Sequence, residues 1–264
     1  MDTKQRSIKN LLKNNFKIPL YQRSYSWKET QILELFQDFY DSYKNNDTEY
    51  YLGTIITVTN KRKQYEVIDG QQRLTSLYLL FGSIINNLDE NTKFYNNIRY
   101  LLFKNIKDIY ELKLELPNEY SSWLIEQIIG GESIDDCIDE LNCIQLNYYN
   151  NYKTLYSKIC RLDNEELHNF ADFIMNKVIM VHINCSDFEN GCKIFQTTNQ
   201  RGLNLRQVDL LKAHIVQELE MKNLMNKHKN ELEFIFIKLD STLDDSVKDR
   251  FLNMLSFSLS IQGD

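Results

Sequence analysis

The chain predicts an α+β fold dominated by helix, on three observations. Two prolines and eight glycines in 264 residues, with 26% charged side chains, favour long helices with few breaks. Residues 51–59 and 65–68, rich in β-branched and aromatic types, flank the polar turn Asn60-Lys61-Arg62-Lys63 and carry a β-hairpin signal. Directly afterwards Leu74, Leu77, Tyr78, Phe81, Ile84, Ile85 and Leu88 recur at helical spacing. With 42% apolar residues the chain can bury a sizeable core, as one large domain or two intimately packed ones, without disulfide staples.

Taken in order, residues 3–14 suggest a short helix. Residues 18–27 read as irregular and partly extended, because Pro19 restrains Ile18 from helical geometry. Ile32, Leu35, Phe36 and Phe39 share one apolar helical face, and that helix runs to about Lys44. After the hairpin comes an amphipathic helix over residues 71–88. A strand at 112–116 and helices at 119–129, 148–160 and 165–175 follow. Residues 177–184 alternate as a strand does, 188–197 resume helical spacing, and nearly everything from Leu205 onward reads as helix. The amphipathic run 251–264 wants a partner surface and suggests a downstream region. The expected division is a part with a small sheet at 1–95 and a mainly helical part at 96–264 packed against it.

A formal net charge of −6 argues against a surface that is a nucleic-acid clamp throughout. Charge is nonetheless concentrated. Residues 1–28 carry Lys4, Arg6, Lys9, Lys13, Lys17, Arg23 and Lys28 against Asp2 alone, and Lys61-Arg62-Lys63 forms a second basic cluster; a charge run is most often a solvated face. The five cysteines form no C-x-x-C pair and the four histidines show no metal-ligand spacing, so reduced, mostly buried thiols are expected. The N-terminus lacks a signal-peptide core and the most apolar stretch, 77–85, is too short to span a bilayer; a cytoplasmic location without membrane contact is expected.

The first motif joins the hairpin to its helix through Asp69-Gly70-Gln71-Gln72-Arg73. A helix start presents backbone N–H groups without intrahelical partners and a partial positive charge, so it attracts anions. Gly70 removes the Cβ that would obstruct close approach, and Arg73 adds a fixed charge with a phosphate-matching fork. Gln71 and Gln72 can orient a water or a phosphate oxygen, and Asp69 can hold a hydrated magnesium ion or accept a proton. The structural alternative has Asp69 capping the helix, Gly70 turning the chain and Arg73 pairing with a carboxylate. No Walker A loop is present.

The second motif, residues 18–27 (I-P-L-Y-Q-R-S-Y-S-W), places Tyr21, Tyr25 and Trp27 around Gln22 and Arg23 beside a proline. Aromatics there can stack on a base and Arg23 can meet phosphate, while Tyr25 and Trp27 serve equally well as core anchors. In the third, residues 194–212 (I-F-Q-T-T-N-Q-R-G-L-N-L-R-Q-V-D-L-L-K), a corner with Gly202 and an Asn204/Gln207 capping box joins two helices. Caps explain those three residues but not Asn199 or Arg201. A DNA-reading helix-turn-helix is a weaker alternative, since the second helix offers few outward polar residues.

Together with Y-L-G-T-I-I-T-V and V-I-D-G-Q-Q-R-L-T-S-L, these motifs occur in the order of the S-type half of the GmrSD family of modification-dependent restriction proteins, which the chain resembles over residues 18–212. The resemblance implies a ParB/sulfiredoxin-like N-terminal part followed by a mostly helical region. It implies nucleotide binding or hydrolysis at Asp69, Gly70, Gln71, Gln72 and Arg73, with Asn199 and Arg201 closing the pocket; joined to the residue chemistry above, this gives a nucleoside triphosphate with Mg2+ at Asp69, and Tyr21, Gln22 and Arg23 beside it. It further implies a sensor that couples nucleotide binding or hydrolysis to cleavage of DNA, modified or not, with a nuclease domain or subunit as partner. After Asp209 only His214 and His228 occur, which does not suit an H-N-H nuclease site, so cleavage by this chain alone is not expected. A non-catalytic DNA-binding or protein-interaction module using the basic N-terminal region is the alternative.

Overall fold

The computed structural model describes residues 1–106, 109–198, 207–222 and 224–242. The chain divides into two compact units, one of Met1–Ile18 with Tyr25–Gly191, the other of Pro19–Ser24 with the described residues from Cys192 onward.

The first unit opens with β1 (Asp2–Ser7), α1 (Ile8–Leu11) and β2 (Phe16–Lys17). Helix α2 (Glu29–Lys44) precedes the hairpin of β3 (Tyr50–Thr59) and β4 (Tyr65–Asp69), and α3 (Gln71–Ile85) follows directly. Then come α4 (Lys93–Leu102), β5 (Phe103–Ile106), β6 (Ile109–Leu112), β7 (Leu114–Glu115), α5 (Glu119–Gly130), a 3-10 turn at Asp135–Glu140, α6 (Cys143–Ile159), α7 (Asn164–Lys177) and β8 (Val178–Cys185). Among the described residues six strands form one mixed sheet in the order β1-β8-β3-β4-β2-β7, and β5 pairs with β6 separately. Strands β1/β8 and β3/β4 run antiparallel, while β3/β8, β4/β2 and β2/β7 run parallel. This is the α+β class expected.

The hairpin forms where the sequence places it, and its turn is held by the Asn60 side-chain Oδ1, which accepts the N–H groups of Arg62 at 2.9 Å and Gln64 at 3.0 Å. Helix α2 buries the four apolar residues its periodicity picks out, Ile32, Leu35, Phe36 and Phe39.

Other expectations are corrected. Residues 3–14 are not one helix: Asp2 to Ser7 pair residue by residue with β8, a partner far along the chain that a local pattern cannot show, and Ser7 then caps the short α1. The strand expected at 112–116 is broken at Lys113, with β6 pairing β5 and β7 pairing β2. Lys113 is buried, its ammonium donates to the Tyr100 carbonyl at 2.7 Å, and burial lowers its pKa. Helix α3 is not amphipathic: every residue except Arg73 is buried, the signature of a central helix with neighbours on all sides. The thiols are not mostly buried either, since Cys185 and Cys192 are buried but Cys143 and Cys160 are exposed.

The second unit's described helices are the C-terminal part of α8 (Phe188–Thr198), α9 (Gln207–Met221) and α10 (Met225–Thr242). Ala213 and Val216 of α9 and Leu232 and Phe236 of α10 are buried, and the Lys212 ammonium lies 5.3 Å from the Phe236 ring centroid. The run 251–264 lies outside the described residues. No helix among the described residues is long and apolar enough to cross a membrane.

One polar group sits deep in the sheet. His182 on β8 is 2% exposed; its Nε2 lies 2.8 Å from the Thr57 hydroxyl on β3, and the Tyr65 ring stands perpendicular to it at 4.7 Å. Burial first, and then the Arg6 charge, lower its pKa from 6.5 to about 4. Between these values the unfolded chain binds a proton that the folded one refuses, so the stability contribution is complete above 6.5 and drains away as pH falls through 4. Urea unfolding across that range should show a loss on the order of 3 kcal/mol that His182→Gln abolishes. Identical pH dependence in the two proteins would refute this assignment.

Candidate functional site

Strand β4 ends at Asp69 and α3 begins at Gln71, so Gly70 alone makes the turn. It does so at φ 93, ψ 7, in the left-handed region, and a Cβ there would lie 3.2 Å from the Thr54 carbonyl oxygen and 3.3 Å from the Ile55 Cα. Both conformation and close approach to β3 therefore require glycine. Gly70 is itself the helix N-cap, the position at which Asp69 was considered, and among the described residues no side-chain hydrogen bond caps the helix. Asp69 instead faces Arg73, its Oδ2 3.5 Å from Nη2.

Arg73 lies across the neighbouring strand. Its Nη1 donates to the Leu52 carbonyl at 3.2 Å, and its guanidinium covers Gly53 so closely that a Cβ at position 53 would stand 1.9 Å from Nη1. Gly53 has φ 116 and sits at an irregularity of the β3/β8 ladder, where Tyr51 pairs Ile179, Gly53 pairs Met180 and Leu52 drops out of register. The bulge thus offers the Leu52 carbonyl and a side-chain-free surface together. The side chains of Arg73 and Asp69 are each 24% exposed, so the guanidinium is held by one carboxylate and one carbonyl without being sealed from solvent. Such a group can still accept an anion bidentately.

Gln71 and Gln72 are both buried. The Gln72 Oε1 accepts the backbone N–H groups of Ser26 at 2.8 Å and Trp27 at 3.2 Å, so its carbonyl oxygen is engaged in latching the irregular segment to α3. From the other side the amides of Asn147 and Asn151 on α6 donate to the Trp27 carbonyl at 2.8 and 2.7 Å, and Asn147 also reaches the Tyr25 carbonyl at 3.2 Å. Tyr25 stacks on Tyr148 at 4.9 Å, and its hydroxyl meets Ser76 at 2.7 Å and the Asn151 amide at 3.2 Å. Burial pushes the phenol up to about 12. Tyr25 is a core anchor, and Trp27 is half-buried against the same core.

Of the remaining expected site residues, Tyr21 is buried and Gln22 and Arg23 are half-buried in the second unit, where the Gln22 N–H closes a turn on the Pro19 carbonyl at 3.0 Å. Asn199 and Arg201 lie outside the described residues. Among the described residues no group of three His, Cys, Asp or Glu side chains is placed to hold a metal ion. The first unit therefore brings Asp69, Gly70 and Arg73 together, with Gln71 and Gln72 in the following turn. Sequence reasoning missed Gly53 and the Leu52 carbonyl; the signal was an isolated glycine inside a strand pattern, which marks a bulge or a close approach. It also missed Asn147 and Asn151, which carry no pattern of their own.

The structure thus shows an α+β domain in which a hairpin passes through a one-residue glycine turn into a buried central helix. The family model for the GmrSD restriction endonuclease N-terminal domain matches residues 8–216, and the chain belongs to that family. It is also similar to the uncharacterised protein MJ0686 of Methanocaldococcus jannaschii, 24% identical over 251 residues that cover 81% of this chain and 41% of the relative. The chain thus spans well under half the length of that relative.

Gly53→Ala should force the guanidinium off β3 and place alanine at a positive φ, a loss of about 1–3 kcal/mol in urea unfolding. Because part of that loss is the clash, it should shrink by about 1 kcal/mol when Arg73 is already alanine. Strict additivity in the double-mutant cycle would show that the two residues do not meet.

Proposed function

We propose that the turn from Asp69 to Arg73 binds the phosphates of a nucleoside triphosphate, and that the chain is a nucleotide-responsive domain of a DNA restriction system. The observation that carries the reading is Arg73, partly exposed and held over Gly53 at the start of a helix whose cap contributes no side chain. Family membership supports the restriction context.

Arg73 would take two phosphate oxygens with its fork while Asp69 and the Leu52 carbonyl fix its plane. Asp69 fits Mg2+ as a single carboxylate, which suits an ion that keeps several waters and shares substrate phosphates; the ion would neutralise phosphate charge. Gln71 would orient a water for hydrolysis. Gln72, whose carbonyl oxygen already accepts two N–H groups, would act as a positioning residue tying residues 26 and 27 to the site. DNA, modified or not, and a nuclease domain or subunit are the proposed downstream partners.

Calorimetric titration of each nucleoside triphosphate with Mg2+ should give saturable heat with at least one base, and Arg73→Ala should weaken it at least tenfold, about 1.4 kcal/mol. Phosphate release in the same mixtures separates hydrolysis from switching. Equal binding by wild type and variant, or none with any nucleotide, would overturn the reading.

A further inference from the structure

The geometry points to a second anion site, independent of the nucleotide turn: a groove between β1 and α1 that binds the phosphodiester backbone of a polynucleotide. Lys4, Gln5, Arg6, Asn10, Lys13 and Asn14 line an open depression of about 530 Å³. Three cations and three amide- or carbonyl-bearing side chains are therefore gathered in one place, on a chain whose formal net charge is −6. A local field of this kind, set against an acidic whole, is what a specific phosphate contact requires.

The side chains have capacity for a ligand. The Arg6 Nε is buried and has no hydrogen-bond partner among the described residues; since solvent does not reach it, a phosphate would be met by the outer guanidinium nitrogens, Nη1 and Nη2. Lys13 donates to the Asn10 side-chain Oδ1 at 3.0 Å, which uses one of its three donors. Lys4 is paired with Asp2 at 2.8 Å, but both side chains are more than half exposed, so the pair is weak and exchangeable. The acidic groups nearby are Asp2 and Glu49, and Glu49 accepts from the Gln5 amide at 3.4 Å.

The spacing favours a polymer over a lone anion. Lys4 and Arg6 are two residues apart on a strand, so they point to the same face about 7 Å apart, comparable to the step between successive phosphates on one strand of nucleic acid. Lys13, in the turn just after α1, lines the same depression. Among the described residues strand β1 is an edge of the sheet, paired with β8 alone. Charged residues on an edge strand also guard against edge pairing, but that role does not call for a third cation, Lys13, brought to the same depression from the turn after α1.

The test is fluorescence anisotropy of labelled single-stranded and duplex DNA against the intact chain, over a salt series. Binding by either form that weakens as salt rises is expected, and Arg6→Gln/Lys13→Gln should weaken it and flatten the log–log salt slope by about two, one per cation removed. Circular dichroism checks folding, and should Arg6→Gln unfold the protein, the surface pair Lys4→Gln/Lys13→Gln serves the same purpose. Lys61→Gln/Lys63→Gln, in the exposed turn between β3 and β4, should leave slope and affinity unchanged. Absence of binding at low salt, an unchanged slope in the groove variants, or an equal loss in the turn variant would overturn the proposal. So would inorganic phosphate that competes as well as DNA at equal phosphate concentration, since the groove would then hold free anions.

Discussion

The first unit is organised by the burial of α3. A helix covered on every side except at Arg73 must enter its position without a connecting loop that would itself need room, and Gly70 provides that entry in a single residue. The turn is tight because the backbone at position 70 comes into contact with β3, so the sheet and the helix are fixed relative to each other by main-chain packing rather than by long side chains. Arg73 is the one α3 residue left outside, and the partial positive end of the helix is directed to the same place.

The sheet answers this constraint with a defect. The irregularity in the β3/β8 ladder removes Leu52 from register and leaves Gly53 without a side chain where the guanidinium lies, so one bulge supplies both a hydrogen-bond acceptor and a bed for the arginine. Bulges of this sort re-aim groups at sites, and here the aim is the turn after the neighbouring strand. The Arg73 guanidinium is therefore held in place by two strands and a helix, the kind of support a preorganised charge requires.

A second economy concerns residues 25–27, which have no strand or helix partners. Side-chain amides take the place of a ladder: Gln72 accepts the N–H groups, and Asn147 and Asn151 donate to the carbonyls. Each backbone polar group satisfied this way can be buried without the penalty of a lost hydrogen bond. The same latch connects the helix that begins at the candidate site with an aromatic-rich segment and with α6.

What the sequence determined by itself was whatever depends on near neighbours. The hairpin, the apolar face of α2, the start of α3 at Gln71 and the strand at β8 were legible because turn chemistry and short-period burial act over a few residues. The candidate turn at Asp69 to Arg73 was legible for the same reason. What only tertiary structure decided involves distant partners: that residues 2–7 become a strand against β8, that Lys113 breaks a run between two different pairings, that Gly53 makes way for Arg73, and that Gln72 is occupied by a segment from another part of the chain. Pairing energy and excluded volume between residues far apart in sequence leave no periodicity to read, so they become visible only when the chain has closed upon itself.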